Sequence, residues 1–155
     1  MVDTGLFNRE LVAEMRLQAP PERVFPLLCP VRETDWLPGW QAEILHSRSG
    51  VAELGCVFTT RDEDGRRRIW TVSRHEPEAG VIQFVQFLAG LAVIRLDIRV
   101  VPEGGGSRAR WTYTVLGLEP GHEAFFAAYA QAPFQVRMAR LGGLLDAYCA
   151  AAPSC

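Results

Sequence analysis

The chain is short of the patterns that announce chemistry. Its four cysteines, Cys29, Cys56, Cys149 and Cys155, are widely separated and form no CxxC pair, so neither a zinc knuckle nor a redox motif is indicated. The three histidines, His46, His75 and His122, share no ligand spacing such as HxxxH, and no metal is expected. No serine lies in a GxSxG elbow, which leaves hydrolase chemistry unsupported. Nowhere do eighteen or so uncharged apolar residues follow one another, and Met1 to Glu10 has no basic stretch leading into an apolar run; the expectation is a soluble, cytoplasmic protein with reduced thiols and no membrane insertion. Charge of one sign is missing too. The 16 basic and 18 acidic side chains are interspersed and sum to −2, so there is no electrostatic footprint for nucleic acid.

What is present is length and alternation. A chain of 155 residues suffices for one domain over 1–155, which buries roughly 68–70% of its unfolded surface. From Leu11 to Leu17 apolar and polar residues alternate, predicting a half-buried strand that ends at Ala19. Pro20 and Pro21 suit a helix start, and Val24, Phe25, Leu27 and Leu28 supply one apolar stripe before Pro30. Val31 to Trp40 mixes charge with aromatics and contains the turn Pro38-Gly39.

Turn clusters at 47–50, 62–65, 76–80, 89–90 and 103–106 then punctuate strand-like runs near 40–47, 53–61, 66–75, 80–88, 91–101 and 107–117. No gap could hold a crossover helix. Seven antiparallel strands are therefore expected. Ala92, Ile94, Leu96, Ile98 and Val100 share one side of their strand, and Ala109, Trp111, Tyr113 and Val115 share one side of the next, so the sheet has an apolar face and a wet one. Glu123 to Ala150 reads as a long helix with Phe134, Met138, Leu141, Leu145 and Tyr148 as its docking stripe. Pro133 predicts a kink or break there. The glycine run 104–106 introduces a strand instead of a helix, so it reads as a turn and not a phosphate cradle. Asp62-Glu63-Asp64-Gly65 lacks the closing acid of a calcium loop and also reads as a turn.

The fold class implied is α+β: a curved seven-stranded antiparallel sheet wrapped around a long C-terminal helix, with short helices after the first strand. The opening strand, the phrase Ala19-Pro20-Pro21-Glu22-Arg23-Val24-Phe25, the Trp-bearing turn, the hairpins and the final helix resemble the START-like (SRPBCC, helix-grip) superfamily. Pro30-Val31-Arg32-Glu33 and Trp36-Leu37-Pro38-Gly39-Trp40 look most similar to the proteins grouped there with polyketide cyclases and dehydratases. That resemblance implies a cavity for a hydrophobic ligand and carries over no catalytic residue and no cofactor.

One helix cannot fill the hollow of a curved sheet to close-packed density. The residues expected around that space are Arg32, Glu33, Trp36, Trp40, Phe58, Trp70, Phe84, Ile94, Leu96, Trp111, Tyr113, Phe125 and Tyr129. Aromatics there supply broad contact with a polar tip or edge for a ligand ring. Arg32 either holds a ligand carboxylate or pairs with a neighbouring acid to fix its loop. The favoured function is binding of a lipid-like or polyketide-like small molecule. The alternative is a cyclase/dehydratase-like enzyme in which Arg32, Glu33, Asp35 or Tyr113 moves protons. An exposed edge strand leaves pairing across a homodimer open.

Overall fold

The computed structural model describes residues 3–151; residues 1–2 and 152–155, Cys155 among them, fall outside that range. Strand β1 (Asn8–Leu17) is followed by a short α1 (Pro21–Val24) that continues as a 3-10 turn over Phe25–Leu27. Next come α2 (Glu33–Trp36), then β2 (Glu43–His46), β3 (Val57–Arg61), β4 (Arg67–Glu76), β5 (Val81–Leu88), β6 (Ala92–Glu103) and β7 (Gly106–Gly117). A single turn α3 (Glu123–Phe126), a 3-10 turn over Ala127–Tyr129 and the long α4 (Gln131–Ala151) complete the chain.

The strands form one seven-stranded sheet in the order β1-β7-β6-β5-β4-β3-β2, every neighbouring pair antiparallel. This is the seven-stranded antiparallel sheet expected from the alternation, in the helix-grip α+β fold that the resemblance implies. Register irregularities between Ile44 and His46 and between Val72 and Arg74 add local bend and twist to the half of the sheet farthest from β1. Parity along each strand decides what faces inward. One row runs Leu11, Tyr113, Leu96, Phe84, Val72 across five strands, each directly opposite the next. The convex side carries exposed ion pairs, including Arg16–Glu103, Arg108–Glu14 and Arg99–Asp97. Pairs of this kind contribute about 0–1 kcal/mol each and mainly keep that face wet.

Three boundaries differ from expectation, each for a local reason. Strands β2 and β3 begin later than residues 40 and 53, because the chain there is spent on turns. Ser47, Ser49 and Gly50 wrap around Glu53: the Ser49 hydroxyl and amide both donate to its carboxylate at 2.6 Å. The long helix is also divided. Ala130 is extended (φ −74°, ψ 153°), so the break falls three residues before Pro133. That proline occupies the first turn of α4, where an amide would lack a helical acceptor anyway. Phe134 N donates to Ala130 O at 3.0 Å and starts the regular ladder.

The face of α4 that enters the core is Phe134, Met138, Gly142, Leu145 and Cys149; Leu141 and Tyr148 flank it half-buried. Gly142 permits a close approach, since a Cβ there would stand 3.2 Å from Met15 Cβ and 3.3 Å from its sulfur. Two polar ties fasten α4 along β1. Gln135 Nε2 donates to Val12 O, and Gln18 N donates to Asp146 Oδ1, both at 2.9 Å. The edge of the sheet at β1 is thus covered, whereas the short β2 at the other edge has no strand beyond it among the described residues.

Candidate functional site

Between the concave face and the α3–α4 segment lies a cleft of about 880 Å³. Its walls come from three places. The β3–β4 hairpin contributes Arg61, Asp62, Arg66 and Arg68, the inner sheet face contributes Trp70, Gln86 and Tyr113, and the helical side contributes Phe125, Tyr129 and Arg137. Trp40 closes one flank.

The aromatic wall is built in layers. Trp70 stacks on Phe58 with ring centroids 5.3 Å apart and 16° between planes, and both meet Phe84 edge-on. Trp40 meets Trp70 in a T-shape at 5.8 Å. Such edge and offset geometries contribute about 0.5–1.5 kcal/mol per pair beyond burial. Cross-strand register creates the stack directly, because Phe58 lies opposite Trp70 and Val72 opposite Phe84. On the helical side Phe125 packs against Tyr129 at 5.5 Å, and Arg66 and Arg68 lie over the Phe125 ring at 5.5 and 5.8 Å.

The sequence-derived candidates divide by position. Trp40, Trp70, Tyr113, Phe125 and Tyr129 line the cleft. Phe58 and Phe84 form the layer behind Trp70, while Ile94, Leu96 and Trp111 are buried on the same concave face. Trp111 Nε1 is buried without a hydrogen-bond partner among the described residues. Trp36 is buried and donates to Leu27 O at 2.9 Å, and Trp40 donates to Pro30 O at 2.7 Å, so both indoles pin the loop that carries α2.

Arg32 and Glu33 are adjacent in sequence and part ways in space. Arg32 is exposed and bonds Asp35 Oδ2 at 3.0 Å. It borders a separate apolar cleft of about 310 Å³ with Phe25, Cys29, Val51 and His75. Glu33 is half-buried. Among the described residues its carboxyl has neither cation nor hydrogen-bond donor to offset the loss of water, and burial pushes it up to about 8. Its charge is felt at Tyr113, whose phenol is held well above the ordinary tyrosine range by burial first and then by Tyr129 and Glu33.

Two functional candidates are polar residues on the apolar side of a strand. Gln86 is 1% exposed although it shares its side of β5 with Ile82, Phe84 and Leu88. Arg68 holds it: Nη1 donates to Gln86 Oε1 at 2.7 Å, and Nε and Nη2 clasp the Asp62 carboxylate at 3.0 Å each. Burial works against the Arg68 charge, but Asp62 and Tyr129 more than compensate, so its pKa lies above the usual arginine range. Arg137 lies over the rings of Tyr129 and Phe134 at 5.2 and 5.6 Å and donates to Ala128 O at 3.0 Å. Strand parity was the available signal for Gln86 and Arg68, since each matches its apolar neighbours two residues away.

The sequence profile of a family described as polyketide cyclase / dehydrase and lipid transport matches residues 9–145. The chain belongs to this family. A search of curated proteins found no match. Among solved structures, protein MLL2253 from Mesorhizobium loti is 17% identical, covering 94% of this chain and 100% of that one at a TM-score of 0.69. Ara h 8.0201 is 14% identical over 94% of this chain and 100% of its own, with a TM-score of 0.70. Norcoclaurine synthase from Thalictrum flavum, solved in complex with dopamine and hydroxybenzaldehyde, is 14% identical over 97% of this chain and 91% of that one, also at 0.70. At these identities the likeness is one of fold. Among the described residues no helix is long and apolar enough to cross a membrane.

Proposed function

We propose that this protein binds a hydrophobic or aromatic small molecule, lipid-like or polyketide-like, between the concave sheet and the α3–α4 segment. The observation that carries the reading is the cleft of about 880 Å³ backed by interlocked aromatic rings. Pockets for small molecules commonly span about 300–1,000 Å³ and combine apolar walls with a few placed polar groups. Trp40, Trp70, Tyr113, Phe125 and Tyr129 touch the ligand, and Phe58, Phe84, Ile94, Leu96 and Trp111 set the shape of the wall behind them. Trp36 and Arg32 serve by holding the loop, and Glu33 contributes a polar group near Tyr113. Affinity comes mainly from apolar surface leaving water, at roughly 25 cal/mol per Å². The buried free thiols Cys29, Cys56 and Cys149 favour a reducing, cytoplasmic setting, and the interspersed charge favours a small molecule over nucleic acid.

One observation favours a second reading, cyclase/dehydratase-like catalysis in the same space. Burial raises the Glu33 carboxyl to about 8 and its field reaches Tyr113 on the cleft wall, so a proton-exchanging acid stands behind a phenol that could do general acid or base work on a carbonyl compound held against the aromatic rings. The decisive experiment is native mass spectrometry of freshly purified protein followed by solvent extraction, with thermal shift against fatty acids, phenolics and polyketide mimics. Saturation at a hundred times Kd adds about 2.7 kcal/mol to stability. Silence across the panel together with an empty protein would overturn both readings.

A further inference from the structure

Gln86 is a carboxamide set among apolar side chains, at 1% exposure. A polar group buried this way is costly unless it is hydrogen-bonded. One of its ends is: the guanidinium of Arg68 donates to Oε1 at 2.7 Å. Because a guanidinium only donates, the oxygen is fixed toward Arg68, and the bidentate grip of Asp62 on Arg68 prevents that arm from swinging. The amide nitrogen is therefore turned away from Arg68, on a residue that lines the cleft. It makes no hydrogen bond among the described residues. The Tyr113 hydroxyl, lining the same cleft from β7, also has no hydrogen-bond partner among them. The pairs Gln86↔Ile94 and Leu96↔Tyr113 set the two residues two strands apart, on the order of 10 Å across the sheet.

We propose that Gln86 Nε2 donates to a carbonyl oxygen of the bound molecule, with the Tyr113 hydroxyl placed for a second oxygen, so that the site selects an oxygenated ring system over a hydrocarbon of equal shape. This rests on the binding reading above and deepens it. A purely hydrocarbon ligand would strip water from the Gln86 amide and leave it unpaired, whereas a ketone replaces that water. Asp62 and Arg68 are positioning residues, acting through the orientation of the amide.

The matched probes are 2-acetylnaphthalene and 2-ethylnaphthalene, which differ in one carbonyl, titrated into the full chain by calorimetry. The wild-type protein is expected to bind the ketone about tenfold more tightly. In Gln86→Leu the preference disappears and the hydrocarbon binds at least as well as before. In Arg68→Met, with the amide freed to turn, the ratio of the two affinities shrinks toward one. Equal wild-type affinities overturn the proposal without needing a folded variant, and so does a ketone preference that survives Gln86→Leu. Both outcomes leave the binding reading standing. Failure of both probes to bind, in a protein shown to be empty, overturns this proposal and the binding reading with it.

Discussion

Replacing Glu33 with glutamine should stabilise the protein in alkali and leave it unchanged in acid. The carboxyl is raised from the ordinary 4.5 to about 8 by burial. A folded chain that keeps this proton competes with an unfolded chain that has released it. Stability attributable to Glu33 is intact below the unfolded pKa, is lost progressively as pH rises from about 4.5 to 8, and loses nothing more above that. At about 1.36 kcal/mol per unit, the whole displacement corresponds to about 5 kcal/mol. Glu33 is only half-buried, and solvent screening brings the expected effect down to about 2 kcal/mol. Arg68, whose pKa lies above the usual arginine range, stays charged across this range, and Tyr113, held above the ordinary tyrosine range, stays protonated through pH 9. Glutamine preserves the shape and cannot ionise. Differential scanning calorimetry at pH 4, 6.5 and 9 and constant ionic strength should therefore show a Tm for Glu33→Gln about 4–8 °C above wild type at pH 9. The gain should be smaller at 6.5 and absent at 4. A Tm offset that is the same at all three values, or a loss at pH 9, would refute the account of Glu33 as an uncompensated acid.

Two glycine experiments test the packing. Gly143→Ala places a methyl group in open space and should raise stability by about 0.5–1 kcal/mol through helix propensity. Gly142→Ala should show no such gain in chemical denaturation, because its methyl presses on Met15. Gly80 has φ 69°, and a Cβ there would overlap the Val100 carbonyl oxygen; Gly80→Ala should cost about 3 kcal/mol. Gly55→Ala, also at positive φ but with nothing within 4 Å, should lose only about 1–2 kcal/mol and serves as the calorimetric control.

Strands were legible in the sequence because period-two alternation is the direct imprint of a sheet with one dry face. The row Leu11, Tyr113, Leu96, Phe84, Val72 needs only correct parity in each strand. Helices were legible where they are long or where prolines mark the start, as at Pro20-Pro21 for α1. The four residues of α2 are too few to display a helical period, and it is this turn that separates the exposed Arg32 from the half-buried Glu33. The alanine-rich stretch before α4 reads as continuous helix until Ala130, whose extended backbone leaves no mark in composition. Gln86 and Arg68 escaped for another reason: a polar residue in a strand looks solvent-facing until the register of its neighbours is known. Asp62 likewise reads as a turn residue, and only the hairpin's closure brings its carboxylate to Arg68.

The unequal edges of the sheet limit how copies of this chain can combine. With Gln135 and Asp146 fastened along β1, strand addition has one free terminus, at β2. Joining two copies through that terminus consumes it in both, and the growing ribbon has nowhere left to extend. Assembly by strand pairing therefore stops at a closed pair, and the seal along β1 doubles as protection against fibre growth.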